Sequence, residues 1–216
     1  MPEETHREEN DDSAKVERLL PQLAMVRPDL ADLPPVRTPP PYALRTFREG
    51  DEAAWEKIVA EAFGREVGHY RFDPLVRNFG GFLPEHVYFI VSPEGEPVAT
   101  ATALLRKSDG STPPRVHMVG VLLDHRGKKL GYWVSLAAMH QLAREGEKNV
   151  SLLTDDFRIP ALKTYLALGF EPYLVHENQR ERWRNIFATL GDKDDWLARF
   201  AHILEGPVHE QEKKGE

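Results

Sequence analysis

Alternating apolar residues mark the first strands of the chain. Alternation predicts a strand over 42–47, and apolar runs predict strands at 87–91 and 98–105. The turn residues 93–96 (PEGE) lie between the last two runs and are typical of a hairpin. A further apolar run predicts a strand over 115–123. The pattern therefore indicates a sheet with an antiparallel start.

Helical spacing of apolar residues appears between these strands. It predicts a helix from Asp51 to Gly64, and two further helices over 129–145 and 159–168. Strands are predicted at 150–154 and 170–175. The order is strand, helix, three strands, helix, strand, helix, strand, which favours a mixed α/β fold: a central mixed, twisted sheet flanked by helices. Strict alternation of strand and helix, typical of doubly wound dinucleotide folds, is absent from this order.

The two ends of the chain differ from the middle. Residues 1–14 are polar and charged and are predicted to be disordered. Residues 15–41 are rich in proline and are predicted to form an arm on the surface of the domain. The folded domain is expected over 42–180, a C-terminal helical region over 181–205, and a polar tail over 206–216.

The C-terminal helical region carries a stripe of large apolar residues that includes Trp183, Trp196 and Phe200. A stripe of this kind most simply faces the core of its own domain. A dimer contact is the alternative, so the chain is expected to be a monomer or a homodimer.

Composition narrows the classes of function. The 216 residues carry a net charge of −7 and no cysteine, which excludes disulfides, thiolate metal sites and a cysteine nucleophile. The acidic balance argues against a nucleic-acid partner. No apolar run reaches the length of a membrane span, and the acidic start does not resemble a secretory signal, so a cytoplasmic protein without a membrane partner is expected. The nine histidines show no metal-binding spacing, so no metal is expected.

The clearest chemical signal is the basic turn, residues 126–131 (RGKKLG), between the apolar run at 115–123 and the helix at 129–145. The first NH groups of a helix lack intrahelical partners, and the helix dipole is positive there. Glycine permits close approach of the backbone, and three cationic side chains add charge. The turn is therefore predicted to bind a diphosphate.

Two motifs resemble those of the GNAT (Gcn5-related) N-acetyltransferase superfamily over about residues 42–176. The basic turn is similar to the acetyl-CoA motif of that family, and residues 161–170 (ALKTYLALGF) are similar to its helix with a tyrosine followed by Gly-Phe. The resemblance implies the GNAT fold and transfer of acetyl from acetyl-CoA to a primary amine of a small molecule or peptide, by direct attack in a ternary complex. It assigns cofactor binding to Val119, Gly120, Val121, Arg126, Gly127, Lys128, Lys129, Leu130, Gly131, Tyr132 and Arg158.

The same resemblance implies roles at the reacting centre. The strand containing residues 119–121 is expected to splay from its neighbour and pair with pantetheine, with Gly120 leaving room for the thioester. Tyr165 is expected to act as the general acid for the leaving thiolate; the alternative is a tyrosine with its ring in the core. Two positions depart from the family pattern: Lys129 replaces a glycine, and Arg158 replaces an asparagine.

The general base is less defined by the sequence. His117 lies on one face of the predicted strand with Arg115, and is the first candidate to take the proton of the amine. Other candidates stand at strand ends, and each of them also has an ordinary surface or capping explanation: Asp155, Asp156, His176 and Glu177.

Two other functions remain open on this reading. One is an enzyme of the same fold that uses another acyl donor or acceptor. The other is a CoA-binding or acyl-CoA-binding sensor without catalysis, which the departures at Lys129 and Arg158 and the lack of an obvious base leave open.

Overall fold

The computed structural model describes residues 21–79, 82–105, 113–191 and 195–209. The predicted acidic segment 1–14, most of the loop at 107–114 and most of the polar tail lie outside these ranges.

Seven strands form one sheet in the order β2-β3-β4-β5-β6-β1-β7. Neighbouring strands are antiparallel, except that β5 and β6 are parallel. The mixed α/β fold predicted from the sequence is confirmed. The strands are β1 (Leu23–Arg27), β2 (Ala43–Thr46), β3 (Val87–Val91), β4 (Pro97–Leu104), β5 (Arg115–Val121), β6 (Val150–Thr154) and β7 (Glu171–Tyr173).

Helices cover both faces of this sheet. Alternate residues of β3 enter different cores: Phe89 packs with α1 and α2, whereas Ile90 packs with the core that contains α3 to α6. Three short 3-10 turns, Arg77–Phe79, Pro84–His86 and Leu123–His125, complete the described elements. The helices are α1 (Glu52–Ala62), α2 (Phe72–Leu75), α3 (Leu130–Arg144), α4 (Ile159–Ala167), α5 (Gln179–Leu190) and α6 (Trp196–Leu204).

The N-terminal segment departs from the prediction of a surface arm. Residues 23–27 form β1, which pairs antiparallel with both β6 and β7 inside the sheet. Leu23 and Met25 are fully buried. Arg27 donates hydrogen bonds to the carbonyl oxygens of Leu168 and Asp29, and so also satisfies the C-terminal end of α4. Five apolar-rich residues between prolines do not distinguish a strand from a helical turn, so periodicity missed this strand.

The predicted C-terminal helical region forms two helices, α5 and α6. Trp183 of α5 and Phe200 of α6 are buried in the main core, and their partner rings include Phe187. The apolar stripe therefore faces the domain itself. Within the described ranges, no helix is both long and apolar enough to cross a lipid bilayer.

Candidate functional site

The parallel strands β5 and β6 separate as they run towards their carboxyl ends. Their register contains one pair, Arg115 with Ser151, at the beginning of both strands. On its other side, β5 stays paired with β4 as far as Val121. The stretch 119–121 therefore presents a free backbone edge towards β6, in a gap that we call the β5–β6 cleft. An extended ligand can bind there as an added strand.

A bulge in β5 precedes this free edge. The register with β4 shifts between Thr100 and Thr102, and Met118 adopts a left-handed φ of 51°. Gly120 follows and faces α1. A Cβ added to Gly120 would lie 3.0 Å from Ile58 Cγ2 and 3.2 Å from Ala62 Cβ. The close approach of α1 to β5 therefore explains this glycine, whereas the sequence had assigned it to space for a thioester.

The basic turn follows β5 and a 3-10 turn, and leads into α3. No acceptor among the described residues takes the amide hydrogens of Gly127 to Tyr132. Gly127 has a φ of 77°, which glycine adopts without strain. Six consecutive unpaired amides at the positive end of a 15-residue helix form a site for an anion.

The turn contains one strained residue. Lys129, the N-cap of α3, has φ 58° and ψ 19°. This left-handed conformation suits glycine, and for lysine it costs about 1–2 kcal/mol. The sequence had identified Lys129 as the residue in the place of a family glycine. The chain therefore keeps the backbone geometry of that glycine while it adds an exposed ammonium group to the turn.

Other side chains of the turn lie at its rim or in the core. Arg126 donates to the carbonyl of Ala62 at 3.3 Å, and Lys128 Nζ donates to the carbonyl of Asp124 at 3.1 Å. Leu130 is buried in the main core, so only its backbone can serve a ligand. A Cβ on Gly131 would meet only Val121, at 3.6 Å, so the packing of the protein does not require glycine there. Tyr132 packs edge-on against the neighbouring Trp133 ring.

Tyr165 lies on α4 with its side chain buried and its ring near Phe170. Burial raises its pKa to about 12, and the nearby charge of Arg158 opposes this rise. Among the described residues none hydrogen-bonds to its hydroxyl. The phenol is therefore protonated at pH 7 and free to donate to a ligand.

Arg158 is the N-cap residue of α4, and its side chain reaches the residue that follows α1. Its guanidinium lies 4.3 Å from the ring centroid of Phe63, and its Nε donates to Asp155 at 2.9 Å. The arginine thus connects the residues after β6 with those after α1. Phe63 is a neighbour that the sequence did not single out, since aromatic residues near the end of a helix are common in cores.

His117 projects from β5 towards α2. Burial, followed by the charge of Arg115, lowers its pKa to about 4, while a hydrogen bond to the backbone of Leu75 acts in the opposite direction. Its Nε2 atom is buried and has no partner. The imidazole is neutral at pH 7 and can accept a proton there.

The other candidate bases are held by local partners. Asp156 accepts two hydrogen bonds from Arg182, at 2.8 and 2.5 Å, and Asp155 binds Arg158. Glu177 pairs with Arg180, and the ring of His176 accepts from the amide of Asn178. These contacts give each group a structural role.

A cavity of about 530 Å³ lies beside the basic turn, between α1 and the β3–β4 hairpin. Its lining includes Glu61, Glu94 and Asp124, and is therefore poorly suited to a diphosphate. The unpaired amides of the turn therefore suit an anion better than this cavity does. No group of three or more potential metal ligands is found among the described residues.

The splayed pair of parallel strands and the amide-lined turn together suit an extended ligand that ends in an anion. The model of the Acetyltransferase (GNAT) family matches residues 52–170, more than half of the chain. The chain belongs to this family, and the resemblance inferred from the basic turn and the Tyr165 helix is confirmed.

Relatives and solved structures agree with this assignment. A mycothiol acetyltransferase of Frankia casuarinae is 30% identical over 155 residues, which cover 66% of this chain and 45% of the relative. One from Thermobispora bispora is 31% identical over 164 residues, covering 70% and 54%. The chain thus spans about half the length of the curated relatives it matches. A GCN5-related N-acetyltransferase from Sphaerobacter thermophilus is 22% identical with a TM-score of 0.53, covers 75% of this chain and 53% of that one, and shares its fold.

Proposed function

We propose that this protein is an N-acetyltransferase that moves acetyl from acetyl-CoA to a primary amine in a ternary complex. The single observation that carries this proposal is the run of unpaired amides from Gly127 to Tyr132 at the mouth of the β5–β6 cleft. Membership of the GNAT acetyltransferase family supports it.

Two parts of the site would hold acetyl-CoA, which supplies the activated acetyl group. The amides of the basic turn would bind the diphosphate, with Arg126, Lys128 and Lys129 adding positive charge. The free edge at 119–121 would pair with the pantetheine amides. These roles fit because both groups of backbone donors and acceptors lack partners among the described residues.

Tyr165 would donate a hydrogen bond to the departing thiolate. Its pKa of about 12 lies well above the 8.5 of an ordinary thiol, so full proton transfer to the sulfur is uphill by roughly 5 kcal/mol. A hydrogen bond delivers stabilisation without that cost. The role as acid, inferred from the resemblance, is therefore better described as hydrogen-bond donation during bond cleavage.

His117 would take the proton that the amine loses. Nε2 is the buried ring atom without a partner, and in the neutral tautomer with the proton on Nδ1 this nitrogen is the acceptor. The low pKa of His117 makes it a weak base. It would therefore pass the proton on to solvent rather than keep it.

The acceptor is proposed to be a small molecule or peptide with a primary amine. The names of the relatives point to a mycothiol-type acceptor as one candidate. Since the chain matches only about half of each relative, its acceptor pocket can differ from theirs.

Thiol release tests this function directly. The protein is mixed with acetyl-CoA and a panel of amines that includes the acceptor of the mycothiol acetyltransferases, and free CoA thiol is followed. Amine-dependent release is expected, and Tyr165→Phe should lower kcat by roughly tenfold to a hundredfold, as expected for loss of one hydrogen bond made in the transition state. An unchanged kcat in Tyr165→Phe would remove this tyrosine from the mechanism.

A CoA-binding module without catalysis is the second candidate. The strained Lys129 and the weak basicity of His117 favour it. CoA should then raise the melting temperature, while no amine in the panel releases thiol.

A further inference from the structure

Arg115 has no counter-ion in the part of the chain that the structure describes. It opens β5 on the face that carries His117, and its Nε atom is buried without a hydrogen-bond partner. Within the described residues its guanidinium makes no ion pair. Some other arginines of the described ranges are paired, as Arg45 is with Asp51 and Arg182 with Asp156. Arg115 differs from these two because its buried Nε atom has no partner.

A charge in this position is unfavourable unless something compensates for it. Burial lowers the pKa of Arg115, which shows that its environment disfavours the charged form. An arginine still remains charged at every physiological pH. A partly buried cation that lacks an internal partner destabilises the fold, and an anion from outside the chain would remove that penalty.

Arg115 lies on the same strand face as His117, the proposed proton acceptor. His117 lies two residues further along the same face, and the charge of Arg115 reaches it strongly enough to lower its pKa. The ring of Phe79 lies 5.9 Å from that of His117. Along β5, the cation of Arg115 is therefore followed by the neutral imidazole of His117 and then by the free backbone edge at 119–121.

We propose that Arg115 binds an anionic group, a carboxylate or phosphate, of the amine acceptor. The inference rests on the proposed acetyl transfer, and it names the class of acceptor: an amine whose far end is negatively charged. Five residues of strand separate Arg115 from Gly120, which is about 16 Å, and the arginine side chain can shorten the gap. The amine and the anion of the acceptor should therefore be roughly 10–16 Å apart.

Matched acceptors test the proposal on the wild-type protein. One series runs from 4-aminobutanoate to 12-aminododecanoate, a second contains the corresponding ω-aminoalkylphosphonates, and a third contains alkylamines of equal length. Thiol release from acetyl-CoA gives kcat/KM for each compound. We expect the longer anionic amines to exceed their alkylamine counterparts roughly tenfold to a hundredfold, the usual effect of a charge-assisted hydrogen bond.

Variants assign this preference to one side chain. Arg115→Gln should raise KM for the anionic amines and so abolish their advantage in kcat/KM over alkylamines of equal length. Loss of the charge beside His117 acts on both series alike and does not alter this ratio. Arg71→Gln is the matched control, because Arg71 is an exposed arginine near α2 that is already paired with Glu56. It should keep the full preference for anionic amines.

The outcomes separate the two proposals. If both kinds of amine react equally well in the wild type, or if Arg115→Gln keeps the preference, the assignment of Arg115 is wrong while acetyl transfer stands. If no amine of any series releases thiol, acetyl transfer itself fails. If Arg115→Gln does not fold, Arg115→Lys replaces it: this variant keeps the charge but loses the guanidinium, so it should weaken the preference for anionic amines, and an unchanged preference would overturn the assignment.

Discussion

Replacing Lys129 by glycine should stabilise the protein. Lys129 holds the left-handed conformation that begins α3, with φ 58°. This conformation costs a residue with a Cβ about 1–2 kcal/mol more than glycine. Glycine has more conformational freedom than alanine in the unfolded chain, and this offsets about 0.4–1 kcal/mol of that gain. The net expectation is that Lys129→Gly is more stable than Lys129→Ala by about 0.5–1 kcal/mol.

Lys129→Ala is the matched control, because it removes the same charge and keeps the Cβ. Urea unfolding of both variants gives the difference in free energy, and the melting temperatures should differ by about 1–4 °C for a domain of this size. A Lys129→Gly variant that is equally or less stable than Lys129→Ala would refute the claim that backbone strain is stored in this turn.

Two further predictions concern β5. Gly120→Ala should destabilise the protein by about 1–3 kcal/mol in urea unfolding, because its Cβ would lie 3.0 Å from Ile58. Gly131→Ala should not, because its Cβ would make an ordinary van der Waals contact with Val121 at 3.6 Å. His117 has a folded pKa of about 4, below its unfolded value, so its contribution to stability is present above pH 6.5 and is lost as pH falls towards 4. His117→Asn should remove about 3 kcal/mol of that acid-induced loss, and an unchanged pH profile of unfolding would contradict this.

Much of the fold could be predicted from periodicity alone. Strands β2 to β6 and helices α1, α3 and α4 follow strong repeats of apolar residues, and the structure differs from the expected bounds by a few residues at most. The strand β1 could not be predicted in the same way. Its position depends on pairing with β6 and β7, partners more than a hundred residues away in the sequence.

The candidate site, like the fold, could be predicted only in part from the sequence. The basic turn was visible because glycine, charge and the start of a helix are local signals. The role of Gly120 was not, since the helix that requires it packs from elsewhere in the chain. Arg115 was seen only as a neighbour of His117. Its significance lies in the lack of a partner, which only the three-dimensional arrangement reveals.

Hydrogen exchange of the basic turn tests the central claim most directly. The amides from Gly127 to Tyr132 lack acceptors among the described residues, so they should exchange quickly in the free protein. Addition of CoA should slow their exchange strongly, whereas pantetheine, which lacks the diphosphate, should leave them fast. Exchange that stays fast in this turn at saturating CoA would contradict the account, because the diphosphate would then bind elsewhere.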